Sequence, residues 1–190
     1  HETQLPAELP HLPKPLRKLF FYPLVPRSFK NVELLGEALK FLTPEENQQL
    51  EIRLTFEAND GGYARYIAEN YPLDNLVLIG KQSREQVFAH YQIMEALLFP
   101  STLETWGLPI SEAKALHKPL WVADLPYAKE TVGTYENVVF FDPKNPKELA
   151  ELFRRHLRGE SVYTGNQAPP MEGTVVHNWP ALFDYILEFD

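Results

Sequence analysis

At 190 residues, with 44% hydrophobic and 23% charged positions, the chain has the make-up of one globular domain with a sizeable core. A net charge of −8 argues against a general binder of nucleic acid or anionic membrane, while leaving room for a local basic pocket. The absence of cysteine excludes a disulfide or a thiolate zinc site and fits a reducing cytosol, and no run of about 18 apolar residues offers a membrane span. The start, His1-Glu2-Thr3, has neither an initiator Met nor signal-peptide character, so a fragment or a trimmed chain is expected, and the location expected is cytoplasmic.

Residues 1–18 hold Pro6, Pro10, Pro13 and Pro15 and read as an extended linker or trimmed remainder. Residues 18–21, K-L-F-F, predict a first strand. Pro23 and Pro26 then mark a turn, and residues 32–42 carry a helical apolar pattern with Asn31 at the N-cap. Arg27 and Lys30 therefore fall in a strand-to-helix loop at the carboxyl end of a sheet, where two cations can neutralise a diphosphate or remain plain surface charges.

Residues 50–56 alternate like a strand with one polar face, or an edge strand. Gly61-Gly62 follows in a turn, serving either as a ligand cradle or only as a tight bend, and residues 63–70 form a helix stopped by Tyr71-Pro72. Residues 76–79, L-V-L-I, predict a buried strand. Ser83 caps the next helix with Glu85-Gln86 in its first turn, and Arg84 is a candidate helix-surface charge.

The stretch 97–112, L-L-F-P-S-T-L-E-T-W-G-L-P-I-S-E, organises the rest. An apolar run over 96–99 predicts a buried strand, Pro100-Ser101-Thr102 breaks it, and Pro109 opens a helix that runs to about residue 116. Strand, loop and helix in that order aim free backbone N–H groups and a positive dipole end past the strand, an arrangement suited to a phosphate. Gly107 permits close approach of a ligand to the backbone. Glu104 in the loop and Glu112, expected in the first helical turn, are eight residues apart and would face one pocket if the loop folds back. Each can accept hydrogen bonds from a sugar diol. Equally, Glu112 can serve the helix dipole alone and Glu104 can be a solvated loop residue.

Residues 119–123 and 138–141 predict two more strands. A short helix over 128–132 lies between them, and a last regular helix over 146–157 is capped by Asn145. Residues 159–174 read as a loop and 177–189 as an amphipathic closing helix. Strands alternating with helices imply a doubly wound parallel α/β sheet, Rossmann-like. Six scattered histidines give no metal constellation, and Ser101 and Ser111 lack the context of a nucleophile elbow.

The run F-P-S-T-L-E-T-W-G-L-P-I-S-E-A-K-A-L-H-K-P-L-W-V-A-D-L-P resembles the E-x7-E region of glycosyltransferase family 4, retaining nucleotide-sugar enzymes with the two-domain GT-B fold. The matching elements are Pro100-Ser101, Glu104, Gly107-Leu108-Pro109, Glu112-Ala113, Pro119, Ala123-Asp124 and Pro126. The resemblance implies that residues 19–158 are the donor-binding, C-terminal half of such an enzyme, closed by 159–190. The acceptor domain would precede residue 1 and could bring the protein to the inner face of a membrane.

By the same resemblance the donor is a nucleotide diphosphate sugar, UDP- or GDP-linked, with no cofactor and no metal. Glu112 would hold the ribose. Glu104 would sit near the donor sugar or distal phosphate, with Thr105, Trp106, Gly107 and Leu108 along the donor loop. Lys81, Gln82 and Ser83 would receive the base. From its place in the turn, and not from the resemblance, Gly61 is a candidate donor-site residue. Lys30 matches the family's phosphate-binding Lys. The family's Gly-Arg is replaced by Tyr22-Pro23, and Arg27 is the substitute we assign. Two rival readings are a catalytically silent nucleotide-binding module and a flavodoxin-like interaction domain without a nucleotide site.

Overall fold

Short apolar runs broken by proline and glycine build strands that cannot lengthen, and the amphipathic stretches between them cover the resulting sheet. The structure, a computed structural model, describes residues 6 and 8–167. Its six strands are β1 (Lys18–Tyr22), β2 (Leu50–Leu54), β3 (Leu76–Leu78), β4 (Ala96–Phe99), β5 (Leu120–Ala123) and β6 (Val138–Phe141). All pair in parallel, in the order β3-β2-β1-β4-β5-β6. The helices are α1 (Val32–Leu39), α2 (Pro44–Asn47), α3 (Gly62–Asn70), α4 (Arg84–Ile93), α5 (Leu108–Ala115), α6 (Pro126–Val132) and α7 (Pro146–Leu157). The closing helix expected over 177–189 lies outside the described residues.

Successive residues of β1 point to opposite faces, which shows how the sheet is covered. Phe20 meets Trp121 and Phe153 of α7 edge-on, at 4.9 and 5.0 Å between ring centres. Phe21 meets His90 and Tyr91 of α4 on the other side, at 4.7 and 5.6 Å. Helices therefore lie on both faces, and every residue of β4 and β5 is buried, as expected for a central parallel sheet. This is the doubly wound, Rossmann-like architecture. The flavodoxin-like alternative fails on strand order, because β2 and β3 lie on the same side of β1.

Three local expectations need correction. The strand over 76–79 is the sheet edge, with Val77 and Leu78 partly exposed, while the strand at 50–54 is flanked by two others and is no edge. An apolar run reads the same at an edge and in the middle, because neighbours are set by distant pairing. The helix expected over 32–42 stops at Leu39, and α2 follows it, opened by a capping box between Thr43 and Glu46. Asn31 is not a capping side chain. It adopts the left-handed conformation, φ 55°, and makes no cap bond.

The order 3-2-1-4-5-6 has its switch point between β1 and β4. The chain leaves these two strands in opposite directions, and a crevice opens beyond their carboxyl ends. The loops after β1 and β4 border it.

Candidate functional site

Pro23 and Pro26 stop β1 from pairing further, and the chain tightens into a 3₁₀ turn at Ser28–Lys30 before Asn31. The Asn31 side chain crosses the crevice instead of capping α1. Its Nδ2 donates to the carbonyls of Pro100 at 3.2 Å and Pro143 at 2.9 Å, tying together the loops after β1, β4 and β6. The Phe29 carbonyl accepts from Thr102 N at 2.7 Å and from the Ser101 hydroxyl at 3.1 Å. Two loops distant in sequence are thus stitched at the switch point.

The N-termini of α1 and α5 differ. At α1 the Tyr63 hydroxyl accepts from Val32 N at 2.9 Å and donates to Glu33, so a protein group already occupies that end. At α5 no side chain caps the helix. Gly107 stands at the N-cap with φ 82°, and a Cβ there would lie 3.1 Å from Ile110 Cδ1. A left-handed, tightly packed position of this kind is open to glycine and closed to most residues. Thr105, Trp106 and Leu108 are exposed around it. Trp106 is steadied by its Nε1 donating to Ser111 Oγ at 2.9 Å and by its carbonyl accepting from the Thr131 hydroxyl.

Lys30 and Glu104 form a direct ion pair across the crevice, both side chains largely buried. The Lys30 ammonium also lies 5.3 Å from the Phe29 ring centre and 5.7 Å from that of Phe99. The Tyr22 hydroxyl donates to the Lys30 carbonyl at 3.1 Å. Burial first, and the Glu104 charge second, push the phenols of Tyr22 and Tyr127 well above the ordinary tyrosine range, so both stay hydrogen-bond donors.

Beside this pair lies a cleft of about 610 Å³, lined by Pro23, Arg27, Lys30, Asp60, Lys81 and Gln82 among others. Three cations and one carboxylate make it a basic pocket on an acidic chain. Arg27 is exposed and its Nη1 donates to the carbonyl of Pro26 at 2.8 Å. Gly61 caps α3 in an open position with φ 120°, next to Asp60. Gln82 braces its own loop by donating to the carbonyls of Ile79 and Gly80, at 2.8 and 3.2 Å. Ser83 Oγ accepts from Gln86 N in the capping box of α4.

Glu112 is the main departure. The helix begins at Leu108, so Glu112 is its fifth residue and no acidic residue stands in the first turn. Dipole compensation, which acts within that turn, does not explain it. It is 5% exposed, with Oε1 receiving Arg84 Nη1 at 3.1 Å and Oε2 receiving the Tyr91 hydroxyl at 3.0 Å. Arg84 is therefore no plain surface charge. The two carboxylates hang on separate anchors: Glu104 adjoins the cleft through Lys30, while Glu112 is held between α4 and α5. Neither lines the cleft itself. Sequence reasoning missed the roles of Asn31, Tyr63, Tyr91 and Tyr127. None carries a local signal, since each acts on a partner more than twenty residues away.

The model of the family "Glycosyl transferases group 1" matches residues 10–167. The chain belongs to this family. Among curated relatives, the serotype-specific mannosyltransferase WbdA of Escherichia coli is 24% identical over 154 residues, 79% of this chain and 19% of that protein. The chain thus spans about a fifth of the length of the curated relatives it matches. Among solved structures, Anabaena Alr3699/HepE in complex with UDP-glucose matches with a TM-score of 0.63 and 20% identity, over 76% of this chain and 40% of that one. Sucrose-phosphate synthase from Thermosynechococcus elongatus matches with a TM-score of 0.63 and 23% identity, over 75% and 37%. These solved structures share the Rossmann-like fold of the described residues. Among the described residues of this family member, no helix is long and apolar enough to cross a membrane.

Proposed function

We propose that this chain is the donor-binding half of a retaining family 4 glycosyltransferase. The complete protein would transfer a sugar from a UDP- or GDP-linked donor to an acceptor hydroxyl, in cytoplasmic synthesis of a polysaccharide or glycoconjugate. The observation that carries the reading is the basic cleft among the loops after β1, β2 and β3, beside the switch point, where Lys30, paired to Glu104, stands with Arg27 and Lys81. An E. coli relative named as a mannosyltransferase and a structural neighbour bound to UDP-glucose support it.

Breaking the sugar–phosphate bond puts negative charge on the leaving diphosphate. Lys30, Arg27 and the α5 backbone amides at Gly107 and Leu108 would offset that charge as it develops. The proposal gives no role to a metal or cofactor. Glu104 would sit against the donor sugar or distal phosphate with Thr105 and Trp106 alongside, and Glu112 would accept from the ribose hydroxyls. The loop of Lys81, Gln82 and Ser83 would take the base, and Gly61 would leave the cleft open beside Asp60.

Acceptor recognition would come from a second domain, and this chain alone should bind donor while transferring little sugar. Titration calorimetry with UDP, GDP and ADP is the test. One nucleotide should bind selectively and bind more weakly to Glu112→Ala. Turnover by the chain alone at the rate of a complete enzyme would sink the division of labour. Tyr22-Pro23, in place of Gly-Arg, favours a second reading in which the parent protein binds donor without catalysis. Inactivity of the complete protein despite donor binding would select it.

A further inference from the structure

Helix α4 carries Arg84, Phe88 and Tyr91 at spacings of four and three residues, which places them along one face. Phe88 sits between the other two, its ring centre 4.8 Å from the Arg84 guanidinium carbon and 5.5 Å from that of Tyr91. The outer two each hold one oxygen of Glu112, at 3.1 and 3.0 Å. Tyr91 is fully buried between Phe21 and Phe88, so its ring cannot turn away from the carboxylate. Burial, reinforced by the Glu112 charge, holds its phenol well above the ordinary range and preserves it as a donor. A carboxylate offers about four acceptor sites, so the two contacts leave capacity for a diol.

We propose that Tyr91 is a positioning residue: its hydroxyl fixes the Glu112 carboxylate at the angle at which it receives the nucleotide ribose, with Arg84 steadying the other oxygen. This rests on the reading of Glu112 as the ribose ligand. It also explains how two parts of the nucleotide are kept in register. The loop assigned to the base ends in the Ser83 capping box that starts α4. The same helix, at its first residue and again two turns on, orients the carboxylate assigned to the ribose. Base loop and ribose ligand share one rigid mount, the kind of support that holds a binding group to a fraction of an ångström.

The test is calorimetric titration of the 190-residue chain with UDP, GDP and ADP and with the 2′,3′-dideoxy form of each. Wild type should bind one ribonucleotide better than its dideoxy form. Tyr91→Phe removes a single hydrogen bond and should weaken the ribonucleotide about threefold to tenfold, leaving the dideoxy form within about twofold. Arg84→Met, at a half-exposed position where the thioether can still pack on Phe88, should act in the same selective way and decides the matter if Tyr91→Phe fails to fold. Equal weakening of both forms, or of neither, overturns the positioning role. Glu112→Gln tests the reading beneath it: an undiminished preference for the ribose form means that Glu112 is not the ribose ligand. Wild type that binds none of these nucleotides overturns the donor-site reading, and this inference with it.

Discussion

Two lysine–glutamate pairs bridge the same two strands from opposite ends. At the N-terminal edge, Lys18 of β1 reaches Glu95, just before β4, at 3.6 Å, with side chains 36% and 38% exposed. At the carboxyl edge, Lys30 and Glu104 pair directly at 15% exposure each. The lower pair is one strut among several. His156 Nε2 lies 3.0 Å from the same glutamate oxygen, and that hydrogen bond, with Lys18 assisting, holds the Glu95 carboxyl below the usual range. An exposed pair of this kind contributes about 0–1 kcal/mol and can be lost without consequence. The upper pair is costlier to desolvate, and an apolar pair would serve folding as well or better. Under the proposed function the lysine there, beside a basic cleft, serves a ligand and not stability.

Between the two ends lies a polar group with neither kind of pairing, and it should show the largest effect. His90 packs under Phe21, 5% exposed, and its Nδ1 has no partner. Burial, and then the Arg53 charge, lower its pKa from 6.5 to about 4. The unfolded chain therefore takes the proton first. Stability should fall as pH drops from about 6.5 to about 4, by about 3 kcal/mol in all, and no further from this group below that window. Chemical denaturation across that range should show the slope, and His90→Leu should remove it.

Glu104→Ala sharpens the comparison next. It strands the Lys30 ammonium in a largely buried site, and unfolding free energy should fall by about 2 kcal/mol. Glu95→Ala, its counterpart at the other edge, should cost less than about 1 kcal/mol. Equal costs at the two ends would remove the contrast between the two pairs.

Features made by neighbours in sequence were legible; features made by distant partners were not. The four-residue apolar runs of β4 and β5 and the Asn145-Pro146 start of α7 can be read directly, because burial and capping are local signals. The Ser83 capping box belongs with them. Its counterpart Thr43-Pro44-Glu45-Glu46 was equally present and marks α2, which the longer helical pattern beside it obscured. The exposure of β3 was hidden because strand order depends on which crossovers the whole chain adopts. A helix start one residue earlier than expected, at Leu108, moved Glu112 out of the first turn and into the grip of α4. The pairing of Lys30 with Glu104 joins residues 74 apart, and only the switch point brings them together.

The most direct measurement is calorimetric titration of UDP and GDP into the wild-type chain, Lys30→Ala and Lys18→Ala. The account predicts that the better nucleotide binds at least about tenfold more weakly to Lys30→Ala, the cost of a lost charge-assisted contact to phosphate, and within about twofold of wild type to Lys18→Ala. Unchanged affinity in Lys30→Ala, or an equal loss in both variants, would contradict a donor site built on the upper pair.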